Sequence, residues 1–172
     1  MLTPHAPRLK GLTPATPVLF LDFDGVTHPY DPYAVDRDLR TNQFCWLPVL
    51  AQTLEEYPAV RIVVTSDWRY FSDADKMRGF LGPLASRFAG CTGFSRGFSR
   101  ADYVQQVVQL EALQHWCALD DDSSVFKAAQ EQPRFVACDP ATGLSEPLVI
   151  AAVARWLLRL PTTVAPGETL SR

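Results

Sequence analysis

Residues 18–25, Val18-Leu19-Phe20-Leu21-Asp22-Phe23-Asp24-Gly25, decide the reading of this chain. Four consecutive apolar residues closed by an acid describe a short strand buried on both faces, the pattern of a parallel sheet rather than of a half-solvated hairpin. Asp22 and Asp24 are two positions apart, so their side chains share a face if the strand persists, while a bend at Gly25 separates their roles. Neighbouring carboxylates repel, and a shared cation is the simplest remedy. Hard oxygen ligands with room for water and a phosphate group favour magnesium over zinc.

The pattern recurs along the chain. Arg61–Thr65, His115–Asp120 and Arg134–Asp139 are short apolar runs ending in polar residues, and each predicts a strand. Helical spacing of apolar residues predicts helices over Trp46–Tyr57, Ala101–Leu113 and Pro147–Leu160, the last with Ser145 as N-cap and Pro147 in its first turn. Alternating strands and helices predict an α/β fold, a doubly wound three-layer α/β/α Rossmann-like parallel sheet, with its ligand site outside the carboxyl ends of the strands. The polar residues that end the runs collect at that edge. Thr65 and Ser66 bring hydroxyls, Asp120, Asp121 and Asp122 bring carboxylates, and Arg100, at the start of a helix, brings a fixed positive charge suited to phosphate.

Outside that edge the chain is ordinary. Its 172 residues, 47% hydrophobic and 20% charged, suit one globular core and exclude intrinsic disorder. A net charge of -3 excludes a protein that coats nucleic acid by bulk electrostatics. Cys45, Cys91, Cys117 and Cys138 form no Cys-x-x-Cys pair, so they are read as reduced rather than as a zinc site, and the three that lie in apolar stretches are read as thiols packed as small hydrophobes. Four prolines in residues 1–17 predict a flexible N-terminal arm, and residues 161–172 a frayed C-terminal tail. No run is apolar enough for a secretory signal or a membrane span, which predicts a cytoplasmic protein with no membrane partner.

The ordered set Asp-x-Asp-Gly at 22–25, Thr65, Arg100 and paired acids at 120–121 resembles the phosphatases of the haloacid dehalogenase (HAD) superfamily, over residues 18–160. Thr65-Ser66-Asp67-Trp68-Arg69, Leu119-Asp120-Asp121-Asp122 and Asp139-Pro140-Ala141-Thr142-Gly143-Leu144 are also similar to the HAD-like domain of bacterial RNA repair proteins. The resemblance implies a magnesium-dependent phosphomonoester hydrolase working through an aspartyl-phosphate. It makes Asp22 the nucleophile and Asp24 the acid and base, with Thr65 and Arg100 holding the phosphoryl group. Gly25, Ser66 and Arg69 join the substrate-binding set. Asp22, Asp121 and Asp120 become the metal ligands together with the backbone carbonyl of Asp24, and Asp122 is the third choice among the later acids. Arg rather than the commoner Lys stands at the cationic position, and Arg96 is an alternative to Arg100.

The stretches from Gly25 to Arg61 and from Thr65 to His115 are largely consumed by ordinary helices, so no sizeable cap domain is expected. An open pocket follows, suited to a phosphorylated small molecule or a nucleic-acid end. His28, Tyr30, Tyr33, Arg37, Arg40, Trp68 and Arg69 are candidates for its mouth, although loop packing explains Tyr30 and Tyr33, a solvated helix start beside Asp36 and Asp38 explains Arg37 and Arg40, and a hydrogen bond within the loop explains His28 as well. A catalytically silent phosphate-binding or regulatory module is the alternative function. A receiver domain is disfavoured because its phosphoacceptor follows its acid pair on a later strand.

Overall fold

A computed structural model describes residues 8–30 and 43–161. The strands are β1 (Arg8–Leu9), β2 (Val18–Leu21), β3 (Arg61–Val64), β4 (Phe88–Cys91), β5 (Trp116–Asp120) and β6 (Phe135–Ala137). They form one sheet in the order β1-β4-β3-β2-β5-β6, parallel throughout except for the edge strand β1, which runs antiparallel to β4. The first apolar run therefore lies in the middle of the sheet. Leu21 pairs with Val64 on one side and with Leu119 on the other, and all four residues of β2 are fully buried.

Alternation along β2 divides the core in two, because successive side chains leave opposite faces. Leu19 and Leu21 join Ile62, Val64 and Leu119 beneath α1 (Leu47–Thr53), α2 (Ala74–Phe80) and α5 (Pro147–Leu157). Val18 and Phe20 join Val63, Trp116 and Ala118 beneath α3 (Arg100–Leu110) and α4 (Ser123–Glu131). The result is the expected three-layer α/β/α architecture. Among the described residues, the segments between β2 and β3 and between β3 and β4 hold only short helices and 3-10 turns. No helix among them is long and apolar enough to cross a membrane.

Several expectations are corrected. Residues 8 and 9, assigned to a flexible arm, pair with Cys91 and Gly90, and the Lys10 amide donates to Ala89 O at 2.8 Å. Leu9 and Leu12 pack on the α3/α4 side of the core, which gives this proline-rich stretch a reason to be ordered. Ser145 is not an N-cap: it closes a 3-10 turn and its hydroxyl donates to Thr142 O, while α5 starts after Glu146 with Pro147 in its first turn. The helix predicted to Tyr57 ends at Thr53, and Arg87 donates to the carbonyl of Leu54 at its C-cap and to those of Tyr57 and Val60 beyond it. β4, α2 and α4 were not anticipated. All four cysteines are free, with Cys117 and Cys138 buried. Residues 1–7 of the arm, Tyr33, Arg37 and Arg40 in the loop, and tail residues 162–172 lie outside the described residues.

Candidate functional site

Because β2 lies between β3 and β5, three chain segments deliver polar residues to one edge of the sheet. Asp22 follows β2, Thr65 and Ser66 follow β3, and Asp120 ends β5, and all four are almost fully buried. The sheet ladder continues past the strand ends: the Asp22 amide donates to Leu119 O at 3.1 Å and the Thr65 amide to Leu21 O at 2.9 Å. These bonds fix the backbone from which the side chains project. Asp22, Asp120 and Asp121 can each offer a carboxylate oxygen, and the three oxygens lie within 4.8 Å of one another.

Arg100 opens α3 and reaches into this group. Its guanidinium lies 3.1 Å from Asp22 Oδ1 and 3.8 Å from Asp120 Oδ2, donates to Thr65 O at 2.6 Å, and stands 3.6 Å from Asp67. The contacts of Arg100 place it here; Arg96, the alternative considered from the sequence, is exposed. Ser99 caps α3 through a capping box with Asp102, which fixes the turn that launches Arg100. The Thr65 hydroxyl donates to Asp120 Oδ2 at 3.3 Å, and the Asp122 amide donates to Asp120 Oδ1 at 3.0 Å.

Burial dominates the electrostatics. It raises the pKa of Asp22, with Arg100 opposing it and the Asp24 charge adding to it. Burial and then the Asp22 charge push Asp120 well above the usual carboxylate range and Asp121 up to about 6. Burial works against the charge on Arg100, but Asp22, Asp120, Asp67 and Asp122 outweigh it and raise its pKa. Three carboxylates and one guanidinium leave two negative charges in a largely buried group when all are ionised. That charge, with hard oxygen donors only, fits a divalent cation such as magnesium.

Two glycines permit this geometry. Gly25 has φ +69°, and a Cβ on it would stand 2.3 Å from Asp121 Oδ2. Gly143, at φ +41°, packs so tightly over the same turn that a Cβ would lie 2.5 Å from Val26 O. The Leu144 amide donates to Val26 O at 2.9 Å, so the Asp139–Leu144 segment clamps the turn that follows Asp24.

Asp24 leaves the three-carboxylate group. Its Oδ1 is 3.1 Å from His28 Nε2 and its Oδ2 accepts from Trp68 Nε1 at 2.8 Å. Asp122 caps α4, accepting from the Ser124 amide at 2.8 Å. Ser66 caps the 3-10 turn Asp67–Tyr70, and its hydroxyl beside Asp22 works against the rise that burial imposes on that carboxyl. Arg69 is buried. Its guanidinium donates to Thr65 O, to Asp67 at 3.2 Å and to the Tyr70 hydroxyl, and it stacks on the Tyr70 ring at 4.3 Å. It thus braces the Thr65–Tyr70 segment. Sequence reasoning treated His28 and Trp68 as loop or mouth residues and did not link them to Asp24; four-residue spacing across a glycine turn was the available signal for His28.

A groove of about 620 Å³ lies elsewhere, at the amino ends of β2 and β3, lined by Pro17, Tyr57, Val60, Leu157 and Leu160 among others, and it contains none of these carboxylates. No curated protein and no solved structure matches the chain. A family model described as the HAD domain in Swiss Army Knife RNA repair proteins matches residues 18–149, from the first residue of β2 into α5. That span carries every group at the carboxyl edge, and the chain belongs to this family of HAD domains.

Proposed function

We propose that the protein is a magnesium-dependent phosphomonoester hydrolase that forms a phosphoaspartate at Asp22, with a phosphate at a nucleic-acid end as its substrate. The observation that carries this reading is the placement of Asp22, buried at the end of the central strand, between Arg100 at 3.1 Å and the carboxylates of Asp120 and Asp121. The RNA repair setting of the family supports a polymeric substrate.

Phosphoryl transfer depends on alignment and on positive or donor groups around three equatorial oxygens. Arg100 supplies a guanidinium whose angle is fixed by its bond to Thr65 O. The Thr65 hydroxyl, now on Asp120, is free to turn towards a phosphoryl oxygen. Arg100 also favours the carboxylate form of Asp22 against the effect of burial. A magnesium ion held by Asp22, Asp120 and Asp121 would screen the repulsion between nucleophile and anionic ester.

In the first step an Asp22 oxygen bonds to phosphorus as the ester P–O bond breaks. The electron pair stays on the leaving oxygen, which takes the proton of the Asp24 carboxyl. In the second step water attacks the same phosphorus and gives a proton to Asp24. The bond between Asp22 and phosphorus breaks, releasing inorganic phosphate and restoring the Asp22 carboxylate.

The test is phosphate release from RNA oligonucleotides bearing a terminal phosphate and from small phosphomonoesters, with magnesium or with EDTA, by wild type and Asp22→Asn. Magnesium-dependent release lost in the variant is expected. Tight binding of a phosphate analogue with no release by wild type would replace this reading with that of a silent phosphate-binding module.

A further inference from the structure

The carboxyl of Asp24 is unusual among the acids of the site because both of its oxygens are engaged by side chains from other parts of the chain. Oδ1 faces His28 Nε2 at 3.1 Å, across the turn that follows β2. Oδ2 accepts from the indole of Trp68 at 2.8 Å, in the 3-10 turn that follows β3. One carboxyl is thereby tied to two of the three segments that build the edge. An indole N–H only donates, so Oδ2 is held as an acceptor from Trp68 and the carboxyl is fixed from two sides.

The two partners are themselves held. His28 is 4% exposed, and its Nδ1 lies 3.0 Å from Thr27 Oγ1, which reaches Phe23 O at 2.9 Å. Around His28 and Trp68 stands a box of rings. Phe44 packs on His28 at 5.2 Å and stacks on Phe80 at 5.6 Å, while Trp68 meets Phe80 edge-on at 5.1 Å and Phe23 at 5.9 Å. Phe44 does this with φ +61°, a left-handed backbone that a bulky side chain rarely adopts and that persists only where the surroundings impose it. A box needed for packing alone would be filled as well by a phenylalanine or leucine at position 28, without the cost of burying an imidazole.

We infer that His28 and Trp68 are positioning residues that hold the Asp24 carboxyl in one orientation for proton transfer to the leaving oxygen. The inference rests on the phosphoryl-transfer reading above. Neither residue touches the reacting phosphate: each acts through Asp24. Proton transfer by a placed side chain accounts for roughly 10²–10⁴-fold in rate, so loosening the carboxyl should forfeit a part of that, at least about tenfold.

The experiment compares kcat/KM for an alkyl phosphate, whose alkoxide leaves only if protonated, with kcat/KM for an aryl phosphate, whose phenolate leaves unaided. The proteins are wild type, Trp68→Phe, which keeps a ring and deletes the donor, His28→Leu, and His28→Gln, which restores a polar amide near the place of Nε2. Thermal melts report folding. Trp68→Phe and His28→Leu are expected to lose at least tenfold more on the alkyl than on the aryl ester. His28→Gln should recover most of the difference, and Trp68→Phe should add nothing to Asp24→Asn. Equal losses on both esters in Trp68→Phe, or in a folded His28→Leu, would overturn the positioning role and leave the hydrolase reading standing. No release by wild type from either ester or from RNA ends bearing a terminal phosphate would overturn both.

Discussion

Adding a single methyl group at Gly25 tests whether Asp121 belongs to a metal site. In Gly25→Ala the new Cβ would stand 2.3 Å from Asp121 Oδ2 and 2.7 Å from its Cγ. The backbone is also held at φ +69°, a left-handed conformation that costs an L-residue about 1–2 kcal/mol. The steric part is relieved when the Asp121 carboxylate swings away. A retreat of roughly 1 Å ends the clash but exceeds what a magnesium ligand at about 2.0–2.1 Å tolerates. For a chain of 172 residues the backbone part lowers Tm by about 2–8 °C. The displaced ligand weakens magnesium binding by at least about tenfold, or about 1.4 kcal/mol. Calorimetric titration with magnesium chloride and melts in EDTA measure the two parts separately. In an Asp121→Asn background, Gly25→Ala should keep its effect on Tm and lose its effect on binding. Wild-type magnesium affinity in Gly25→Ala would refute the assignment of Asp121 as a ligand.

Two further outcomes follow from the same geometry. Burial and the Asp22 charge raise the pKa of Asp121 from 3.8 to about 6, so between those values the folded protein binds a proton that the unfolded chain releases. The stability contributed at low pH by this group is lost as pH rises through about 6. Metal-free melts should show wild type losing Tm relative to Asp121→Asn across that window, and excess magnesium should shrink the difference; a wild-type Tm that rises relative to the variant contradicts the shift. Gly143→Ala places a Cβ 2.5 Å from Val26 O and 2.8 Å from Gly25 O, backbone atoms that cannot swing aside, with φ +41° besides. It should cost about 3 kcal/mol or more, and an unchanged urea midpoint would contradict the clamp.

The central strands were legible because burial on both faces leaves a continuous apolar run. Val18–Leu21 and Arg61–Val64 stand where periodicity placed them, and β5 and β6 start one residue late. Phe88–Cys91 was not legible: Ala89 and Gly90 carry little strand preference, and the segment becomes a strand because β3 and β1 present partners on either side. α4 was hidden for a related reason. Asp122 was counted with the acids of the edge, whereas it starts that helix as its N-cap. At the site, Asp22, Thr65, Arg100, Asp120 and Asp121 could be named because each lies at or directly beyond the end of a strand or opens a helix. The bonds from His28 and Trp68 to Asp24 are tertiary, set by how two turns meet, and local pattern does not encode them.

The short edge strand has a consequence for how the chain is handled. Arg8–Leu9 and the Lys10 amide occupy the outer hydrogen-bonding groups of β4, while Leu9 and Leu12 cover apolar surface beside them. A protein trimmed to begin at Val18 would retain every acid of the carboxyl edge and the whole matched span, yet it would present β4 as a bare strand next to uncovered leucine-binding surface. Bare strands recruit other strands. Such a shortened version is expected to self-associate along that side, and residues 8–17 act as a built-in guard against it.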